Sequence, residues 1–108
     1  MNHNNRTLIL CILSSVLLAL LLVSVIWIYI HNNVILHVQK TFADGSTYIG
    51  EWLSGTMNGN GKYVATDGEI YEGEFLNGRR DGVGKASYID GSTYDGYWKD
   101  DLYHGEGK

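Results

Sequence analysis

Residues 44–62 read DGSTYIGEWLSGTMNGNGK, with five glycines in nineteen positions and Gly50 midway between Tyr48 and Trp52. That glycine content suits a phosphate-cradling loop, a flexible linker or a tight β-repeat. The rest of the chain decides among them. Asp44–Gly45 returns as Asp67–Gly68 and again as Asp90–Gly91, a period of 23 residues. At that period Tyr48, Tyr71 and Tyr94 coincide, as do Gly50, Gly73 and Gly96, and then Trp52, Phe75 and Trp98. Gly59, Gly82 and Gly105 follow, then Gly61, Gly84 and Gly107, then Lys62, Lys85 and Lys108. A fixed period of this size marks an array of one supersecondary unit.

The unit reads as a β-hairpin. The chain has no proline, and the aromatics recur at i and i+4 with glycine at i+2, which is one face of a strand. In the first repeat the opposite face carries Thr47, Ile49, Glu51 and Leu53. The residues SGTMNGN, 54–60, read as a loop, with a second short strand near 61–66. Asp67–Gly68 then reads as a two-residue turn with positive φ at both central positions. Joined in series, such hairpins form an antiparallel meander. Residues 38–43 stand where a second strand belongs, so they read as a degenerate half-repeat, with Phe42 in register with Ala65 and Tyr88. Gly50 reads as a vacancy that lets Tyr48 and Trp52 lean over the backbone or stack with their counterparts from the next hairpin. An interior strand glycine costs about 0.5–1 kcal/mol relative to alanine, so packing has to demand it.

Upstream, residues 7–30 read TLILCILSSVLLALLLVSVIWIYI, twenty-four residues without a charge. As a helix they span roughly 36 Å, enough to cross a hydrocarbon core of about 30 Å. Trp27 and Tyr29 fall at the end of the run, where amphipathic aromatics favour the membrane–water boundary. A cleaved signal peptide has a shorter apolar core and a small-residue cleavage site, so a retained signal anchor is the expectation. Arg6 precedes the run and the next fixed positive charge after it is Lys40. The positive-inside bias therefore puts the N-terminus in the cytoplasm and the repeats outside it. Cys11 lies within the apolar run and reads as a small buried hydrophobe.

The sequence thus divides into a tail (1–6), a transmembrane helix (7–30), a linker (31–37) and a repeat domain (38–108) with units 44–66, 67–89 and an incomplete 90–108. The fold expected is an all-β repeat of stacked antiparallel hairpins in one elongated, curved sheet, preceded by a single transmembrane α-helix. The short linker holds the domain near the bilayer. The last unit ends after GEGK, before the position assigned to its second strand, which leaves an open sheet edge for pairing with a second copy or a partner.

The tandem units resemble the MORN repeat (membrane occupation and recognition nexus), whose pattern is Y-x-G-x-[WF]-x-x-G-x-x-x-G-x-G. The matching positions are Tyr48, Gly50, Trp52, Gly55, Gly59 and Gly61, then Tyr71, Gly73, Phe75, Gly78, Gly82 and Gly84. The third unit matches at Tyr94, Gly96, Trp98, Gly105 and Gly107, but has Asp101 where glycine is expected, which suggests a different loop there. The resemblance covers Asp44–Lys108. It implies modules found beside enzymes, in junctions between membranes and in cytoskeletal scaffolds, and phosphoinositide contact has been proposed for the family.

No chemistry of catalysis emerges. Gly59–Lys62 leads into a strand instead of the helix N-terminus a phosphate loop needs. His3, His31 and His37 flank the apolar run and His104 stands alone, which gives no metal-ligand spacing. Asp44, Asp67 and Asp90 are turn residues. The expectation is a non-enzymatic scaffold without catalytic, cofactor or metal site, whose repeat-signature residues Tyr48, Gly50, Trp52, Tyr71, Gly73, Phe75, Tyr94, Gly96 and Trp98 build the surface offered to a protein partner. A second reading gives Lys62, Lys85 and Lys108, with Arg79 and Arg80, a ladder that touches anionic lipid. A third makes the array an accessory module of a longer protein. All twelve acidic residues follow residue 43, against six basic ones from Thr41 onward, so residues 41–108 carry −6. That balance opposes nucleic acid and most of an anionic membrane surface.

Overall fold

The computed structural model of the chain describes residues 2–108, which divide into two compact units, a helix and a sheet.

The helix, α1, spans His3–Asn33. Its N-terminus is capped by Asn2, whose side-chain oxygen accepts from the Asn5 amide at 2.9 Å. None of its residues is buried, and leucine, isoleucine and valine face every direction around it. A helix apolar all round belongs in a protein core or in lipid. Its few hydroxyls are already satisfied. Ser15 and Ser24 donate to the carbonyls of Cys11 and Leu20, four residues back, at 2.9 Å each. In hydrocarbon, where no water can take their place, such bonds remove the cost of a free hydroxyl. By length and composition α1 is a candidate membrane span or signal sequence. The helix outruns the apolar stretch at both ends, and β1 begins at Leu36, so only Val34 and Ile35 join them where the sequence suggested a linker over 31–37.

The sheet has seven antiparallel strands in sequence order: β1 Leu36–Thr41, β2 Thr47–Leu53, β3 Thr56–Val64, β4 Ile70–Leu76, β5 Arg79–Ser87, β6 Thr93–Lys99 and β7 Leu102–Gly107. This is the predicted meander, with β1 as the half-repeat. Its hydrophobic core lies on one face, where Tyr48, Tyr71, Phe75, Ala86 and Trp98 are buried and Val38, Phe42, Trp52, Met57, Tyr63, Tyr88 and Tyr94 pack against them.

Four expectations are corrected. Residues 54–60 are not a loop. Gly50 pairs with Gly61 and Trp52 with Met57, so the second strand bulges opposite Glu51, and β3 begins at Thr56. The same shift separates Gly73 from Phe75 on β4. A bulge absorbs the extra residues and bends the strand without opening the hairpin. For the same reason the third unit already contains its second strand, β7.

The turn types are also the reverse of expectation. Ser54–Gly55, Asn77–Gly78 and Asp100–Asp101 have positive φ at both central positions, the signature of type I′. At the Asp–Gly sites only Gly45, Gly68 and Gly91 have positive φ. There the glycine amide donates to the carbonyl of Phe42, Ala65 or Tyr88, and the Asp carboxylate accepts from the amide two residues on, at 2.9 Å in each repeat. Aspartate's own side-chain bond favours this three-residue loop over the two-residue one.

Finally, Asp101 does not produce a different loop. It adopts φ 67°, and its amide donates to the Arg80 carbonyl at 3.0 Å, as the Gly78 amide does to the Met57 carbonyl at 2.9 Å. These bonds, with Asn77 N to Asn58 Oδ1 at 3.0 Å, stitch each hairpin to the one before it.

Candidate interaction surface

The site is built on a row of glycines. By register, Gly50 pairs with Gly61, Gly61 with Gly73, Gly73 with Gly84, Gly84 with Gly96 and Gly96 with Gly107, so the row crosses β2 to β7 without a side chain. The vacancy is filled by tyrosine. A Cβ on Gly61 would stand 2.4 Å from Tyr48, one on Gly84 2.1 Å from the Tyr71 oxygen, and one on Gly107 2.4 Å from Tyr94. The bed of each tyrosine is therefore the glycine across the hairpin. Gly50, which the sequence nominated, instead keeps its backbone close to Gly61, whose Cα a Cβ there would meet at 2.4 Å.

Laid flat, each tyrosine reaches a carbonyl three residues ahead. Tyr48 donates to Glu51 at 2.6 Å, Tyr71 to Glu74 at 2.8 Å and Tyr94 to Tyr97 at 2.9 Å. Burial pushes the hydroxyls of Tyr48 and Tyr71 up to about 12. The glutamates complete the bulges: Glu51 accepts from the Asn60 amide at 2.8 Å and Glu74 from the Val83 amide.

The rings then stack edge to face. Phe75 meets Tyr48 at 5.4 Å and 88° and Tyr71 at 5.0 Å and 81°, and Trp98 meets Tyr71 at 5.3 Å and 86° and Tyr94 at 5.1 Å and 89°. Positive ring edges against negative faces add about 0.5–1.5 kcal/mol per pair beyond burial. Tyr48, Tyr71, Phe75 and Trp98 are all buried, so these signature residues form the core, with Phe75 and Trp98 reaching the floors of the hollows above it. Trp52 and Tyr94 are half-buried at the two sides.

What remains accessible above the core is a groove of about 430 Å³ lined by Phe42, Met57, Tyr63 and Phe75 on its apolar side and by Asp44, Glu69, Arg80 and Asp101 on its polar side. A second hollow of about 230 Å³ shares Glu69, Arg80 and Asp101 and adds Tyr88, Trp98 and Tyr103. Arg80 is the knot between them. It donates to Glu69 Oε1 at 2.7 Å, to Asp101 Oδ1 through Nε at 3.2 Å and to the Asp101 carbonyl at 3.1 Å, and its guanidinium lies 4.3 Å from the Trp98 ring centre. Nothing in the sequence beyond the irregular Asp101 pointed to this cluster, because its members lie 11 and 21 residues apart.

The lysines of the ladder occupy the opposite face and do not form a patch of one sign. Lys62 pairs across strands with Glu72, Glu72 with Lys85 and Lys85 with Asp95, whose backbone exchanges hydrogen bonds with Lys108. Lys62 Nζ stands 3.3 Å from Glu72, and Arg79 stands 3.9 Å from Asp100. Among the described residues, no group of His, Cys, Asp and Glu is arranged to hold a metal ion.

A family model described as MORN repeat matches residues 48–70, 71–93 and 94–108. Its unit opens on the tyrosine, with the same period as that counted from Asp–Gly. No curated protein matches the chain.

Proposed function

The chain belongs to the MORN repeat family, and from that premise we propose that it is a membrane-anchored scaffold whose aromatic face binds a protein partner. MORN repeats are protein- and membrane-interaction modules, generally without enzymatic activity. The observation that supports binding on this face is the groove over Phe42, Met57, Tyr63 and Phe75. Apolar hollows edged by a few polar groups are the usual form of a binding site. The opposite face supports lipid contact less well, because Glu72 and Asp95 separate its lysines. Attraction to an anionic leaflet depends on clustered positive charge. Helix α1 is the anchor in this reading, with the N-terminus in the cytoplasm on the strength of Arg6.

The test is to express the full chain in membranes and to crosslink it with Tyr63→Lys or Ile49→Lys. Tyr63 lines the groove and Ile49 faces the other way, half exposed. Loss of a crosslinked partner only with Tyr63→Lys is expected. Loss only with Ile49→Lys would move the binding surface to the other face.

A further inference from the structure

The groove carries more negative than positive charge. Three carboxylates line it, those of Asp44, Glu69 and Asp101, against the single guanidinium of Arg80. Asp44 Oδ1 accepts from the Ser46 amide at 2.9 Å and from its hydroxyl at 2.6 Å. Glu69 Oε1 accepts from Arg80, and Asp101 Oδ1 from the Arg80 amide and Nε. The apolar wall beside them is aromatic.

The same face already shows how it receives a cation. Lys40 Nζ lies 4.6 Å from the Trp52 ring centre and 5.6 Å from that of Phe42. Arg80 lies over Trp98 while its nitrogens meet carboxylates. A positive group over an aromatic face with a carboxylate at its edge is a favourable arrangement for both guanidinium and ammonium.

We propose that the groove takes a basic peptide segment of a protein partner, seating an arginine or lysine side chain against Phe42, Tyr63 and Phe75 and pairing it with Asp44, Glu69 and Asp101. This rests on the reading of the aromatic face as the binding surface and names the chemistry of its partner. A groove of about 430 Å³ suits a few side chains of an extended segment. The net −6 of residues 41–108 steers positively charged partners toward it. A phosphate or an acidic peptide would meet the same three carboxylates as a repulsive wall.

Met57 makes the proposal measurable, because the chain has two methionines and the other is Met1. The full chain, with isotope-labelled methionine methyl groups, is placed in nanodiscs of zwitterionic lipid. It is titrated with capped peptides SLRLRS, SLQLQS and SLELES. The expected result is a saturable shift of the Met57 methyl signal with SLRLRS, weakened by salt, with Met1 unmoved. Asp44→Asn keeps an oxygen for the Ser46 amide and removes the charge, and it is expected to weaken SLRLRS binding by roughly two- to fivefold, the range of one exposed ion pair. Equal shifts with all three peptides would overturn the charge assignment while the binding surface stood. A Met57 signal silent to every peptide would overturn this proposal, and the Tyr63→Lys crosslinking separately decides whether the face binds protein at all.

Discussion

The ring of Tyr71 lies on Gly84, close enough that a Cβ there would stand 2.1 Å from the tyrosine oxygen. Gly84 does not have positive φ, so the requirement for glycine is purely one of space. Gly84→Ala is expected to lift Tyr71 off its bed and cost about 1–3 kcal/mol, the range of an overpacked core. Chemical unfolding of the full chain in micelles, followed by tryptophan fluorescence, measures this. A neutral substitution would mean that tyrosine and glycine do not form one packing unit.

Within that unit the hydroxyl and the ring contribute differently. Tyr71→Phe removes the bond to the Glu74 carbonyl and leaves the ring stack, for a loss of about 1 kcal/mol. Phe75→Ala breaks contacts with both Tyr48 and Tyr71, for about 3–5 kcal/mol. The same unfolding curves separate the two, and a larger loss from Tyr71→Phe would reverse the ranking of packing over hydrogen bonding.

Much of this was legible in the sequence, and the misses share a cause. The 23-residue period and the Tyr-x-Gly-x-aromatic spacing are local features, and they place every hairpin and the aromatic face. Strand register is not local. Glycines at 55 and 59 look like loop residues until Gly61 is seen to lie under Tyr48, with Gly59 in the bulge against Glu51. Asp–Gly resembles a type I′ turn until the Asp carboxylate is seen to accept an amide two residues on. The lysines repeat in sequence as a ladder of one sign, and only cross-strand pairing shows Glu72 and Asp95 between them. The Arg80 cluster spans two turns of the meander, and no short motif announces it.

That cluster yields a test with an unusual sign. Asp101→Gly restores the residue the repeat pattern expects and relieves a non-glycine at φ 67°. It also strips Arg80 of its Oδ1 partner. A side-chain acceptor shared by two donors, one of them charged, outweighs the conformational gain, so a net loss of about 1 kcal/mol is expected. Measured stabilisation would show that Asp101 is a tolerated defect in the array.

Alkali is expected to weaken the sheet through its tyrosines. Tyr48 and Tyr71 ionise near 12 in the fold, against an ordinary value of 10.0, chiefly because burial opposes the phenolate. A raised acid contributes stability that is complete below the unfolded value and is lost as pH climbs through the window from 10 to 12. Phenolate absorbance and unfolding measured together over that range check the sign. Asp44 and Asp90 act at the other end. The Ser46 and Ser92 hydroxyls, then their amides, hold these carboxyls below the usual 3.8, so their contribution is lost as pH falls beneath that value.

The central claim is that the aromatic face of the sheet, and not its charged face, meets the partner. The most direct measurement places a photo-crosslinking amino acid at Tyr63 or at Lys85 in the full chain, expresses it in membranes and irradiates it there. A discrete protein adduct from position 63 with none from position 85 is the result expected. Adducts to protein or lipid from position 85 alone would contradict the claim and make the charged face the site of contact.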